Sequence, residues 1–206
     1  MPKRKNKWFS TAITLLLTVG LVAVIVSSAS QIVSRSVEYR AAQSEYDNLR
    51  EQAGSENEDE DGGIQWDALA AINPGVVGWI VVPGTEISYP IVQGSDNARY
   101  LRYTFAGTRN ASGAIFLDYR DCADFTGRTK IYGHNMRDGT MFSSLLDWQG
   151  DTFTIHTPGG VMEFVVTARD ALPLAEIVQL DGVALITCVN GRPDVRWVVQ
   201  AERSLS

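Results

Sequence analysis

The sequence predicts a mainly β globular domain, either a closed barrel or a sandwich, that follows a long N-terminal helix. From residue 76 onward, short runs rich in β-branched and aromatic residues alternate with turn residues, a pattern typical of closely spaced strands. Before this region, residues 8–29 form an apolar stretch without a charge, which is long enough to cross a membrane as a helix. One folded domain is the default for a chain of 206 residues.

The N-terminal segment carries four cations within residues 3–7, directly before the apolar stretch. Such a cluster predicts a cytoplasmic N-terminus and an extracellular remainder of the chain. A cleaved signal peptide is the alternative, because the small residues 27–29 resemble a cleavage site. The apolar stretch is longer than a usual signal core, which favours an uncleaved anchor. We therefore expect residues 1–30 to form a basic tip and a single-pass signal-anchor in the cell membrane, in contact with its lipid.

Residues 31–63 predict a helical stalk and a linker between the anchor and a globular domain of residues 64–206. The helix is weakly amphipathic and ends near Gly54. The acidic run 56–61 is interpreted as a solvated linker rather than an ion-binding site. The net charge of −6 argues against a nucleic-acid partner, which would require a basic surface.

The globular region predicts about eight strands, one short helix and two helical turns. Pro90 lies within the second strand, which favours an edge or bulged position there. The predicted strands are 77–82, 87–92, 114–117, 129–132, 152–156, 162–167, 183–188 and 195–201. The predicted helix is 66–71, and the helical turns are 97–101 and 141–148.

Few residues could carry chemistry. His134 follows a strand in a Gly-flanked turn, whereas His156 is interpreted as a strand-end residue without a role. Cys188 ends an apolar strand, and Arg196 opens the next. A short connection rich in turn formers would make these strands antiparallel neighbours and bring both residues to one end of the sheet. A nucleophilic thiolate with a cation nearby is one interpretation, and a buried, inert Cys188 is the other.

The second cysteine, Cys122, lies in a polar loop. A Cys122–Cys188 disulfide is an open alternative for an exported protein, although the settings of the two residues do not suggest a matched pair. Two isolated histidines and scattered carboxylates give no metal-ligand spacing, so we expect neither a metal site nor a cofactor.

Six stretches, in the right order over about 130 residues, carry a resemblance to a known family. From residue 72 to residue 201 the sequence resembles the sortases, and its first two-thirds resemble class B. The matching stretches are residues 72–80, 89–94, 113–118, 131–142, 185–188 and 196–201.

The resemblance implies a closed eight-stranded sortase-type β-barrel, with residues 64–206 as the catalytic domain of a cysteine transpeptidase. Cys188 would attack the carbonyl after the threonine of a C-terminal sorting signal. His134 would protonate the leaving amine and later deprotonate the incoming amine, while Arg196 would hold the substrate and the oxyanion. The implied partners are surface proteins with a sorting signal and an amine of a peptidoglycan precursor or of a pilin lysine.

The resemblance also implies a substrate groove. Asn97 and Leu101 match positions that line this groove in class B, and the backbone near Thr187 would help to bind the oxyanion. Arg192 competes with Arg196 for the role of the catalytic cation, and the Arg-x-Val-Val register favours Arg196.

One segment departs from the class B pattern. Class B sortases usually carry a long helical insertion shortly before the nucleophile strand, whereas here only residues 171–181 lie between the strands. We therefore expect a shortened wall beside the groove, and a recognition motif that the resemblance does not define.

Other functions remain open at the level of the sequence. Exported L,D-transpeptidases also use cysteine, but their arginine stands two residues after it, where this chain has Asn190. A pilin-polymerising sortase is an alternative within the family. A membrane-anchored β-barrel binding module, with incidental His, Cys and Arg, is the alternative that is not an enzyme.

Overall fold

The structure, a computed structural model, describes residues 7–53 and 63–204. The basic residues 3–5, Gly54 and the acidic run 56–61 lie outside the described residues, so the interpretation of these segments stays a prediction. The chain divides into two compact units, one ending at Arg40 and the other beginning at Ala41.

The N-terminal unit is helical. Helix α1 spans Lys7–Ala53, and large apolar side chains in its first part, such as Leu16 and Ile25, are exposed. The helix from Thr11 to Glu51 includes a fully exposed window with a mean hydropathy of 2.4. This part of the chain is long and apolar enough to cross a membrane, although a signal sequence has the same character.

The unit that begins at Ala41 contains a barrel with short helices around it. The helices after α1 are α2 (Trp66–Ile72) and α3 (Leu174–Ile177), and 3₁₀ turns lie at Arg99–Leu101 and Ser143–Leu146. The strands are β1 (Val76–Val81), β2 (Ser88–Gln93), β3 (Ile115–Leu117), β4 (Thr129–Tyr132), β5 (Thr152–Thr157), β6 (Gly160–Pro173), β7 (Val183–Val189) and β8 (Arg192–Arg203).

The eight strands form one closed barrel in the order β1-β2-β3-β4-β7-β8-β6-β5. The pairs β2–β3 and β4–β7 are parallel, and the other pairs are antiparallel. Alternating apolar side chains fill the interior, where Trp79, Phe153 and Phe164 are buried. The predicted mainly β fold with a closed eight-stranded barrel is confirmed, and the sandwich alternative is wrong.

The last turns of α1 pack within the second unit. Ala42, Tyr46 and Leu49 are buried, and the Tyr46 hydroxyl donates a hydrogen bond to the Gly113 carbonyl at 2.6 Å. The side chain of Arg50 donates to the Ser88 carbonyl at 2.9 Å. The end of the segment predicted as a stalk therefore contributes to the packing of the barrel unit.

Strand boundaries differ most at β6, predicted as 162–167 and observed as Gly160–Pro173. The charged residues Arg169 and Asp170 end the apolar pattern, but their backbone continues to pair with β8.

Pro90 lies in the closed barrel rather than in an edge strand. It is paired with Trp79 on β1, and the pairing of β2 with β3 begins one residue later, at Ile91. Its missing N–H is therefore tolerated next to the start of that ladder.

Candidate active site

The nucleophile candidate Cys188 lies on β7, between β4, which His134 follows, and β8, which carries Arg196. In the parallel β4–β7 pair, Tyr132 is in register with Ile186. The backbone N–H of Gly133 extends this ladder by donating to the Ile186 carbonyl at 3.1 Å. His134 lies two residues after Tyr132, and Cys188 lies two residues after Ile186. The two residues therefore occupy corresponding places at the carboxyl ends of neighbouring strands.

On the other side of β7, Cys188 is the direct register partner of Arg196 on β8. The next pair after the bulge is Val189 with Arg192, so β8 carries three extra residues, 193–195, at this point. The tight turn is completed by Gly191, whose φ of +74° suits glycine. The antiparallel β7–β8 pairing predicted from the sequence is confirmed, and it decides between the two arginines: Arg196, not Arg192, is opposite Cys188.

The bulge also fixes the guanidinium of Arg196. Its Nη1 donates hydrogen bonds to the carbonyls of Pro193 and Val195, both at 2.9 Å. Bulges commonly redirect a side chain next to functional sites. Here the extra residues supply the acceptors that orient the cation.

His134 is half-buried, and its Nε2 lies 2.9 Å from the Leu101 carbonyl. When Nε2 carries the proton, it donates to this carbonyl and leaves Nδ1 as the proton acceptor of the neutral ring. The preceding Gly133 has no room for a side chain, because a Cβ there would lie 2.5 Å from Ile115 Cδ1 and 2.6 Å from Phe142 Cγ. Close packing thus positions the backbone that carries the imidazole.

All six residues that the sequence analysis selected line one pocket with a cavity volume of about 360 Å³. Cys188 and Arg196 are half-buried, and Thr187 is buried. The selected residues in the lining are Asn97, Leu101, His134, Thr187, Cys188 and Arg196. The structure therefore brings these residues together around one cavity.

The family model of the sortase domain matches residues 80–204 of the chain. This match covers His134, Cys188 and Arg196. The chain belongs to the sortase family.

Curated relatives of this sortase are class B enzymes by name. It is 32% identical to sortase B of Staphylococcus aureus over 152 residues, which is 72% of this chain and 61% of that protein. It is 41% identical to sortase B of Listeria monocytogenes over 91 residues, which is 44% of this chain and 37% of that protein. The chain therefore spans less than two thirds of the length of either relative.

Solved structures support the same placement within the family. The crystal structure of sortase B from Bacillus anthracis in complex with AAEK1 superposes with a TM-score of 0.69 at 25% identity, covering 81% of this chain and 98% of that one. A class B sortase of Streptococcus pyogenes involved in pilus biogenesis gives a TM-score of 0.59 at 30% identity, covering 69% of this chain and 99% of that one. The class B resemblance drawn from the sequence is confirmed.

The segment 171–181 of this sortase contains the end of β6 and a single helical turn, α3. Ile177 of this turn is buried against Ile186 and Val198, whereas Leu174 and Val178 are exposed and line the pocket. A short apolar wall therefore borders the pocket beside Cys188.

Two residues that bear on the site were missed by the sequence analysis. The Asn135 side-chain amide donates to the Cys188 carbonyl at 2.9 Å, which ties the loop after β4 to the nucleophile strand. Tyr132 lines the pocket, and burial, together with the nearby Asp118 carboxylate, raises the pKa of its phenol. Tyr132 thus stays neutral and keeps its O–H as a donor. The position of Asn135 directly after His134 was the signal available in the sequence.

Both cysteines are free thiols, with Cys122 exposed and Cys188 half-buried, so the alternative of a disulfide between them is wrong for this structure. Within the described residues, no group of three or more His, Cys, Asp or Glu side chains could hold a metal ion. His156 lies on β5, away from the pocket, and its burial lowers the pKa of the imidazole.

The arrangement contains the parts required for acyl transfer. It offers a thiol as nucleophile, an imidazole that can move a proton, and an oriented guanidinium that can stabilise developing negative charge. The apolar wall and the polar residues Asn97 and Tyr132 provide a surface for a substrate chain next to these groups.

Proposed function

We propose that this sortase is a membrane-anchored cysteine transpeptidase that cleaves a C-terminal sorting signal after threonine and transfers the acyl product to an amine. The observation that carries the proposal is that Cys188 and Arg196 pair on the adjacent strands β7 and β8, that His134 follows the neighbouring strand β4, and that all three residues line one pocket. A thiol alone is common, but a thiol flanked by these two groups fits covalent acyl transfer.

In the proposed reaction, His134 accepts the thiol proton and the Cys188 thiolate attacks the threonine carbonyl. Arg196 stabilises the oxyanion. Collapse of this intermediate breaks the peptide bond, and His134 gives the proton to the departing amine. The incoming amine loses a proton to His134 as it attacks the thioester, which releases Cys188 and forms a new amide bond.

The apolar first part of α1 supports a single-pass anchor, with the N-terminus in the cytoplasm and the catalytic domain outside. In this proposal, residues 1–30 form the tip and anchor, 31–63 the stalk and linker, and 64–206 the catalytic domain. The donors are surface proteins with a sorting signal, and the acceptor is an amine of a peptidoglycan precursor. No cofactor takes part.

Pilin polymerisation is the second candidate, supported by the 30% identity to a Streptococcus pyogenes class B sortase involved in pilus biogenesis. The two candidates differ in the acceptor, which is a cell-wall amine in one case and a pilin lysine side chain in the other.

The test is a transpeptidation assay with the full-length chain in detergent micelles and a peptide library with Leu-Pro-x-Thr-Gly-like and Asn-Pro-x-Thr-x-like sequences. Each peptide is offered with a peptidoglycan-type amine or a lysine peptide, and products are identified by mass spectrometry. We expect cleavage after threonine and an acyl-enzyme mass on Cys188, both absent from Cys188→Ala. A complete lack of Cys188-dependent product across the library would rule out the proposal.

A further inference from the structure

A buried tyrosine near the end of α1 contacts the part of the barrel unit that surrounds His134. Tyr46 is 3% exposed. Its hydroxyl donates a hydrogen bond to the Gly113 carbonyl at 2.6 Å and accepts one from the Phe105 N–H at 3.3 Å. Burial raises the pKa of this phenol, so the hydroxyl stays protonated and remains a donor. The hydrogen bond to Gly113 therefore persists at neutral and mildly alkaline pH.

Gly113 lies against the edge of the His134 imidazole. A Cβ at this position would lie 3.2 Å from His134 Cδ2 and 3.2 Å from the carbonyl carbon of Leu101, and the φ of +57° also suits glycine. The oxygen of the same Leu101 carbonyl lies 2.9 Å from His134 Nε2. The backbone that Tyr46 holds is therefore beside both the ring and the carbonyl that orients it.

A second contact of Tyr46 reaches the loop that follows His134. The rings of Tyr46 and Tyr89 meet edge to face, with their centroids 5.2 Å apart. The Tyr89 hydroxyl accepts the Met141 N–H at 3.2 Å, and Met141 has a φ of +57°, which is uncommon for a residue other than glycine. The next residue, Phe142, donates its N–H to the His134 carbonyl at 2.9 Å. Tyr46 therefore also supports the backbone of His134 through Tyr89.

The neighbouring residue on α1 makes contacts of a different kind. Glu45 Oε2 accepts a hydrogen bond from the Thr104 hydroxyl at 2.9 Å, and Oε1 accepts one from the Ala106 N–H at 2.9 Å. Glu45 thus attaches the same helix to the barrel unit through partners other than Gly113 and Tyr89. The two side chains separate attachment of the helix from contact with the surroundings of the imidazole.

We propose that Tyr46 is a positioning residue for His134. It acts through Gly113 on the ring and through Tyr89 on the loop that follows the ring. These contacts fix the imidazole with Nε2 toward the Leu101 carbonyl, which leaves Nδ1 as the proton acceptor. The effect on catalysis rests on the proposed function, whereas the orientation of the ring stands on the contacts alone. Simple attachment of α1 to the barrel unit is the alternative that the experiment must separate.

The first measurement is the tautomer ratio of His134, determined by NMR of isotope-labelled histidine at pH 8 in the full-length chain in detergent micelles. The sequence contains only two histidines, so the signals lost in His134→Ala assign this ring. We expect the Nε2–H tautomer to dominate in the wild type. Tyr46→Phe keeps the aromatic ring and removes the hydroxyl, and it should lower the ratio of Nε2–H to Nδ1–H by about threefold or more. The ratio of His156, on β5, should stay unchanged.

The second measurement is the steady-state kinetics of transpeptidation, with a peptide of the pattern Asn-Pro-x-Thr-x as the donor. Tyr46→Phe should lower kcat about fivefold and leave KM within about twofold, because Tyr46 lies outside the set of residues that line the pocket. Glu45→Gln is the matched control, since it weakens the attachment of the same helix and retains the hydroxyl of Tyr46. It should leave both the tautomer ratio and kcat unchanged.

A wild type in which the Nδ1–H tautomer dominates overturns the inference, as does an unchanged ratio in Tyr46→Phe. Equal changes in Tyr46→Phe and Glu45→Gln also overturn it, because they would show a general loosening of α1. If Tyr46→Phe does not fold, Tyr89→Phe, which removes the acceptor of the Met141 N–H, takes its place with the same expected and contrary results. Absence of Cys188-dependent product in the wild type would refute only the proposed function, since the tautomer ratio does not require turnover.

Discussion

Cys188 and Arg196 are direct register partners across β7 and β8. Neighbouring strands lie about 4.8 Å apart. The backbone hydrogen bonds of β7 with β8 and with β4 therefore set the spacing of Cys188 from Arg196 and from His134, which lies just beyond β4. These strands belong to one closed barrel. The predictions below test the individual contacts.

Replacement of Arg196 should separate it from its sequence rival. Arg196→Lys removes the planar fork that bonds the bulge carbonyls and replaces it with a mobile point charge. We expect kcat/KM for transpeptidation to fall on the order of 100-fold, as for the loss of an oxyanion donor. Arg192→Lys, at the exposed start of β8, should stay within about twofold. Equal losses in the two variants would contradict the assignment of Arg196.

The Asn135 hydrogen bond to the Cys188 carbonyl should matter for the reaction more than for the fold. Asn135→Ala removes the donor and leaves the carbonyl without it, at a cost of about 1 kcal/mol. We expect kcat to fall about fivefold with a small change in KM, because the nucleophile strand is less firmly held. Asn190→Ala, in the exposed turn of the same hairpin, is the control. The expectation fails if both variants keep the wild-type kcat.

Gly133 should be intolerant of a side chain for steric reasons. The Cβ of Gly133→Ala would overlap Ile115 and Phe142, and overpacking of this kind costs about 1–3 kcal/mol of the free energy of unfolding. Gly127→Ala is the matched control, since nothing lies within 4 Å of its Cβ. Thermal unfolding of the full-length protein in detergent measures both. A Tm for Gly133→Ala equal to that of the control would show that the site relaxes around the methyl group.

The stability of the protein should fall on mild acidification because of His156. Its burial lowers the pKa of the folded state below the ordinary value of about 6.5. The unfolded chain therefore binds the proton more readily, so this stabilisation is present above pH of about 6.5 and is lost as the pH falls through the folded pKa. Denaturant unfolding between pH 8 and pH 5 should show a shallower decline in His156→Gln than in the wild type.

A second loss of stability belongs to a separate pH range. The pKa of Asp118 is lowered to about 2 in the fold, so its contribution is complete above about pH 4 and disappears only as the pH approaches 2. His156→Gln should leave this acid range unchanged. An identical pH profile of the wild type and His156→Gln over the whole range would contradict the role given to His156.

Some strand boundaries could be predicted from the sequence alone, and others could not. The strand 129–132 was predicted with its observed boundaries, because β-branched residues and flanking turn residues mark it clearly. The strand β6 was predicted less than half as long as observed, because Arg169 and Asp170 interrupt the apolar pattern although their backbone pairs with β8. Long-range pairing overrides local pattern at such positions.

The sequence by itself determined the mainly β class of fold and selected His134 and Cys188, since scarcity and motif order leave few choices for these two residues, while it left two arginines as candidates for the cation. Only the tertiary structure decided which arginine faces the cysteine, because the three-residue bulge in β8 changes the register between them. It likewise showed the hydrogen bonds from Asn135 to the Cys188 carbonyl and from the Tyr132 hydroxyl to the Asp118 carboxylate. These contacts join residues that are distant in sequence or separated by a turn, so they depend on how the strands close into a barrel, and no local pattern records them.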